Sequence, residues 1–384
     1  VRLGGEGVWD DARALRDVGA ITEEIADFWG MIPYDRYTYL NVVGHGRGGL
    51  EHMDSTLMMV DESAVVSDGA WLSWLGLVSH EFFHTWNVKR MRPEPLTTYD
   101  YDEEQYTRSL WIAEGLTSYY DDLLLVRAGL MTPEQHLSRL SGSLPQAMSR
   151  PAAAIQSLSD ASFDAWIKYY RGDENRINRD VSYYSKGAVI GWLLDMRIRR
   201  ATRDQASLDD VMRRAYAVFR EGGYTEAGFR ALASEVAGED LTGFFAAYVD
   251  GTVRPDLTPA LDWLGLRVAE DPEAGSAWLG IEASGWPMTV DQVRRDAPVF
   301  AAGLNVADEL IAVGSRRVTP ESLDTLRTSW TVGDEVTLLV ARHERLKTLT
   351  ATVGARPQLV WSLELDPDAG RAAALHREGW WRSE

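Results

Sequence analysis

The sequence contains no cysteine. Disulfides, thiolate zinc knuckles, iron–sulfur clusters and cysteine nucleophiles are thereby excluded, although cytosol and periplasm both tolerate such a chain. Basic residues are scarce, with 39 Lys+Arg against 58 Asp+Glu and a net charge of −19. Binding driven by neutralising phosphates, on nucleic acid or anionic lipid, fits that balance poorly. No run approaches the ~18 consecutive apolar residues of a membrane span. Residues 1–18 carry neither a basic leader nor an apolar h-region. A soluble protein with no signal peptide in this chain is expected. The start at Val1 rather than Met suggests a trimmed N-terminus, which leaves bacterial cytoplasm and periplasm both open.

What is present is the composition of a folded protein. A 45% hydrophobic and 25% charged content excludes a disordered chain, and 384 residues suffice for two or three domains at about 100–200 residues each. Apolar spacing over residues 9–29 predicts a helix ending at Gly30 and Pro33. Residues 36–43 and 55–60 read as strands, with a glycine-rich turn at 44–49. Residues 67–88 predict a helix apolar on almost every side (Trp71, Leu72, Trp74, Leu75, Val78, Phe82, Phe83), which belongs in a domain interior. An acidic loop at 100–105 leads to another helix over about 109–127. From 132 to 250 the pattern is mostly helical, with a polar loop at 171–180. After Gly251 come Pro255, Pro259 and Pro272, then short β-like runs at 277–283, 288–293, 309–313, 335–341 and 348–353. One helix, at about 320–329, sits among them. That is a β-rich module of roughly 90 residues.

The chemistry centres on His80-Glu81-Phe82-Phe83-His84, an HExxH pattern. At 3.6 residues per turn the two histidines share one helical face, where two imidazoles can hold one metal ion. Glu81 then stands beside the first ligand, able to take a proton from the attacking water. Three ionisable groups in so apolar a helix are costly without a partner. An open zinc site usually takes three protein ligands, so a third must come from elsewhere. Glu114, among Leu110, Trp111, Ile112 and Leu116 on the next strong helix, is the candidate. Glu103 and Glu104 are rivals in an acidic loop, where solvation is the ordinary explanation. Thr117, Ser118, Asp121 or Asp122 is placed to accept from a ligand imidazole. His45 reads as a solvated turn residue, and His136, His343 and His376, without spaced partners, as surface residues.

The run VSHEFFHTWNVKRMRP (78–93) resembles the signature of the glycyl aminopeptidase family, PDZ-bearing zinc metallopeptidases of the gluzincin type and distant relatives of aminopeptidase N. WIAEGLTSYYDDLLLVRAGL (111–130) resembles the family's third-ligand helix, and SFDAWIKYY (162–170) and SYYSKGA (182–188) match further segments. The resemblance spans about 32–353 and implies one Zn²⁺ per chain on His80, His84 and Glu114, with Glu81 as general base. Gly48-Gly49-Leu50-Glu51-His52 occupies the place of the "GxMEN" strand of the aminopeptidase N group. Glu51 is thereby implied to hold the substrate's amino group, with Gly48 and Gly49 beside the peptide; His52 departs from that group's Asn. Tyr184-Ser185-Lys186-Gly187 resembles the "YxKG" segment, which implies that the Tyr184 hydroxyl stabilises the oxyanion, with Tyr183 as the competing choice.

Trp278-Leu279-Gly280-Ile281 sits where PDZ domains carry their carboxylate-binding turn, and residues 296–304 resemble their "SPAxxAGL" segment. The implied fold is α+β: a mainly helical, gluzincin (thermolysin-like) catalytic domain over 1–255, a PDZ-like domain over 256–356 and a C-terminal tail over 357–384. Residues 1–30 would be the remnant of a linker from the β-rich domain that relatives carry ahead of the catalytic part, whose absence would leave an apolar face exposed. The expected function is removal of N-terminal Gly or Ala from peptides, with a peptide C-terminus as a second partner at the PDZ-like domain. A zinc endopeptidase, and a PDZ-type peptide-binding protein with a vestigial peptidase site, are the alternatives.

Overall fold

The computed structural model describes residues 2–4, 9–44, 46–61 and 67–382, the side chains of 2–4, 320 and 321 excepted. His45 lies outside the described residues. Strand β1 (Arg2–Gly4) is followed by helix α1 (Asp11–Trp29), which the Asp10 carboxylate caps by accepting from the Arg13 amide and which Gly30 ends at φ 68°. The stripe Ala14, Val18, Ile21, Ile25 and Phe28 faces inward, as its spacing predicts. Three further strands, β2 (Thr38–Gly44), β3 (Gly48–Glu51) and β4 (Ser55–Asp61), complete a sheet ordered β1-β2-β4-β3. β1 and β4 run parallel to β2, whereas β3 is an antiparallel edge, pairing Glu51 with Thr56 and Gly49 with Met58. Half of the glycine-rich turn expected from sequence is thus strand.

The sheet alternates along each strand. Tyr39, Asn41, Met58 and Val60 are buried, and Asn41 accepts from the Trp74 indole at 2.9 Å. Leu40, Val42, Leu57 and Met59 make an exposed apolar outer face. Helix α2 (Asp68–Phe83), capped by Ser67, packs against the inner face and buries Trp71, Trp74, Leu75, Val78, Phe82 and Phe83.

The chain then turns through 84–92 and meets a π-helical stretch, Trp111–Gly115, that runs directly into α3 (Leu116–Arg127). α4 (Pro133–Met148), α5 (Leu158–Phe163), α6 (Arg176–Arg179), α7 (Ser185–Thr202), α8 (Leu208–Phe219), α9 (Glu226–Ala237), α10 (Thr242–Tyr248) and α11 (Thr258–Leu264) form the helical body. α3 and α7 lie side by side at its centre, joined where Tyr119 donates to Asp195 at 2.6 Å, and α8 is tied to α3 where both Tyr120 and Arg127 donate to its Asp209 at 2.8 Å.

A second, separate core gathers Leu279, Ile281, Val290, Leu310, Leu338 and Val340. Around it β7 (Glu282–Ser284), β8 (Thr289–Gln292), β9 (Glu309–Val313), β11 (Glu335–Arg342) and β12 (Arg345–Thr352) form a sheet ordered β12-β11-β9-β8-β7, with β10 (Arg316–Arg317) on β9 and a separate pair of β6 (Ala277–Trp278) with β13 (Gly354–Ala355). Its helices are α12 (Pro298–Ala301) and α13 (Pro320–Arg327). Asn178 anchors the module to the helical body, donating to the Val293 carbonyl and accepting from the Arg295 amide, both at 2.7 Å.

The chain beyond 357 is no loose tail. β14 (Leu363–Leu365) pairs with β5 (Leu266–Val268), and α14 (Arg371–Trp381) returns to the first core, where the Trp380 indole donates to the Tyr119 hydroxyl at 2.8 Å. Two histidines expected at the surface are drawn in with it: His136 is buried and accepts from Trp381, while His376 stacks on Trp263 and pairs with Asp204. Aromatic partners distant in sequence cover both rings, fully for His136 and in part for His376, and local spacing carries no trace of them.

Candidate active site

The last turn of α2 presents His80 and Glu81, and His84 follows at its C-terminal cap. The two imidazoles stand 4.7 Å apart, centroid to centroid, at nearly right angles. Facing them, Glu114 leaves the π-helical stretch and brings one carboxylate oxygen to 3.2 Å from His80 Nε2 and 3.1 Å from His84 Nε2. All three donor atoms lie within 4.8 Å of one another. Two imidazole nitrogens and one carboxylate oxygen are the donor set of an open zinc site. Glu103 and Glu104 are exposed and take no part.

The outer partners of the ligands are built in. Among the four candidates read from sequence, Asp121 is the one that meets His80, at 3.1 Å from Nδ1. His84 Nδ1 lies 2.7 Å from the Asn87 carbonyl oxygen, which fixes its proton there and turns Nε2 to the centre. Asn87 was not singled out from sequence, yet its amide donates to Ile112 O, Ala113 O and Thr117 Oγ1. It ties the turn after His84 to the backbone carrying Glu114. An Asn between Trp86 and Val88, three residues past the second histidine, is the signal the sequence offers.

The electrostatics agree with this geometry. Burial works against a charge on either imidazole, but Asp121 and Glu114 beside His80, and Glu114 beside His84, raise both above the ordinary value. Burial alone would raise Glu114 as well; the two histidines outweigh it and hold that carboxyl well below the usual range. The three groups together call for positive charge at their centre. Burial pushes the Glu81 carboxyl up, with His80 and His84 opposing, and its Oε2 is buried without a hydrogen-bond partner.

The cleft around these groups has a volume of about 790 Å³. Gly48, Gly49 and Glu51 of the β3 edge line one side, and Tyr184, at the N-terminal cap of α7, lines another. Gly49 leaves room for the Glu81 carboxylate, since a Cβ there would lie 2.1 Å from Glu81 Oε1 and displace it. Glu51 faces the cleft but is paired with Lys89 at 3.6 Å. His52 is exposed and turned back to the Leu50 carbonyl. The Tyr184 ring lies 6.1 Å from that of His80; burial and then the Glu114 charge push its phenol far up, so it stays a neutral donor. Tyr183 is buried beneath it.

Comparison with known proteins finds likeness to peptidases. The family model of the M61 glycyl aminopeptidases matches residues 73–190, the span holding His80, Glu81, His84, Glu114 and Tyr184. The crystal structure of an aminopeptidase N family protein from Idiomarina loihiensis superposes with a TM-score of 0.90 at 27% identity, covering 99% of this chain and 68% of that one. An M1 zinc metallopeptidase from Deinococcus radiodurans gives 0.40 at 14% identity over 67% of this chain and 48% of its own. A serine endoprotease from Yersinia pestis gives 0.19 at 22% identity over 21% and 29%. Both are too distant to bear on this chain. No curated protein matches it.

Fold and site together define a peptidase. Over residues 73–190, which hold the metal-site triad and Tyr184, the chain matches the glycyl aminopeptidase family.

Proposed function

We propose that this protein is a zinc metallo-aminopeptidase that removes N-terminal Gly or Ala from peptides. The observation that carries the reading is the convergence of His80, His84 and Glu114 within 4.8 Å beside the buried, unpartnered carboxylate of Glu81. Zinc bound there would supply an acidified water and a Lewis acid for the scissile carbonyl. Glu81 would accept the proton of the attacking water and return it to the leaving amine, a role its raised pKa suits. Tyr184 would donate a hydrogen bond to the developing oxyanion without itself ionising. Substrate would lie along the free edge of β3, beside Gly48 and Gly49, with its ammonium at Glu51.

One observation favours an endopeptidase instead: Lys89 already sits at Glu51, so a substrate ammonium must share that carboxylate. A free peptide and its N-acetylated twin decide the matter. Cleavage of the free form alone supports the amine anchor, and equal cleavage of both removes it. Glu81→Gln should retain zinc and lose turnover, and near-normal activity in that variant would overturn the base assignment.

The C-terminal module is read as PDZ-like, taking a peptide C-terminus. Support comes from a groove of about 690 Å³ in which Trp278, Leu279, Gly280 and Ile281 face α13 across the β7 edge. Gly280 turns the chain there at φ 78°, a conformation that favours glycine. A binding protein with a vestigial peptidase site is disfavoured by the intact donor set.

A further inference from the structure

The reading above uses one phenol, but three meet at this wall of the cleft. Tyr170 Oη lies 3.0 Å from Tyr184 Oη and accepts a hydrogen bond from Tyr183 Oη at 3.2 Å. Tyr183 is buried, whereas Tyr170 is 66% exposed and reaches the cleft from the segment between α5 and α6. With so little of its ring covered, packing alone does not account for where the Tyr170 hydroxyl sits.

A phenol carries one hydrogen and can accept through its lone pairs, so the directions can be counted. The hydrogen of Tyr183 goes to Tyr170. Tyr170 then has one hydrogen of its own, and Tyr184 is the hydroxyl within its reach. If Tyr170 donates to Tyr184, the single hydrogen of Tyr184 is not spent on Tyr170 and is available to the cleft that Glu114 and His80 also line. The opposite direction would spend that hydrogen on Tyr170 and leave Tyr184 nothing to give a substrate. Each hydroxyl that accepts also becomes the stronger donor.

We propose that Tyr170 is a positioning residue: in the order Tyr183 to Tyr170 to Tyr184, the three hydroxyls set the direction in which Tyr184 donates. This rests on the reading of Tyr184 as the group that meets the oxyanion. No proton is transferred along the row; its effect is on orientation and donor strength.

The test uses the zinc-loaded full chain with alanyl-7-amido-4-methylcoumarin as probe. Tyr184→Phe should lower kcat by about a hundredfold, as loss of an oxyanion donor does. Tyr170→Phe should lower kcat by about tenfold, the worth of one hydrogen bond, with KM within about twofold. Zinc content and melting temperature should be unchanged in both. The double variant should be no slower than Tyr184→Phe alone, because Tyr170 acts only through Tyr184. A Tyr170→Phe enzyme at wild-type kcat, or a double variant whose losses multiply, overturns the proposal and leaves the role of Tyr184 standing. A fully active Tyr184→Phe enzyme overturns both.

Discussion

Gly115 and Gly187 touch backbone to backbone: a Cβ on either would lie 2.7 Å from the other's Cα. Through this contact the π-helical stretch carrying Glu114 seats directly on the first turn of α7, next to Tyr184. Gly187→Ala should force the two apart, lowering stability by about 1–3 kcal/mol and cutting turnover more than bulk unfolding explains. Thermal melts alongside kcat measure both. Gly142, exposed in α4 with nothing within 4 Å of its Cβ position, is the control: Gly142→Ala should stabilise by roughly 0.5–1 kcal/mol.

A second glycine acts on chemistry rather than on folding. The Cβ of Gly49→Ala would displace the Glu81 carboxylate, the mobile end of a side chain. Melting temperature and zinc content should be retained, while kcat falls by at least about tenfold through the misplaced base. A Gly49→Ala enzyme with normal kcat would show that Glu81 works from another position.

The metal ligands and their outer partners should separate by size of effect. Glu114→Ala removes one of three donors and should strip most zinc, as read by elemental analysis. Asp121→Asn leaves all three donors but removes the carboxylate behind His80; zinc affinity should weaken by about 10–100-fold. Unchanged zinc content in Glu114→Ala would take this carboxylate out of the site.

Acid sensitivity should arise in part far from the cleft. Burial, reinforced by Arg127 and Arg139, lowers the His136 pKa to about 3. The unfolded ring titrates near 6.5, so above that pH neither state holds the proton and the folded state keeps its full advantage. As pH falls from about 6.5 toward 3, the unfolded chain binds a proton that the folded chain refuses, and stability drops by up to ~1.4 kcal/mol per pH unit. Urea unfolding between pH 7 and 4 should show this slope, and His136→Gln, though less stable at pH 7, should show a flatter one. Identical slopes would exclude His136 as a source.

His80, Glu81, His84 and Glu114 were legible in the sequence because a ligand pair at i and i+4 needs only helical periodicity, and because charge in an apolar helix demands a partner. The choice of Asp121 over Thr117, Ser118 and Asp122 was not legible. The four polar residues lie on two successive turns of α3 and differ in height and rotation, and the packing of that helix selects among them. Nor was the pairing of Lys89 with Glu51, which depends on where the turn after α2 meets the β3 edge.

The amino-acid order alone determined the long helices, the two central strands β2 and β4 of the small sheet, the β-rich character of the C-terminal module and a donor set able to hold a cation, since all of these depend on local spacing and residue chemistry. Only the folded chain decided that residues 363–381 close over the helical core, that His136 is interior, and that three tyrosine hydroxyls form one row. Those outcomes depend on contacts between segments tens to hundreds of residues apart, whose relative placement comes from packing against shared neighbours.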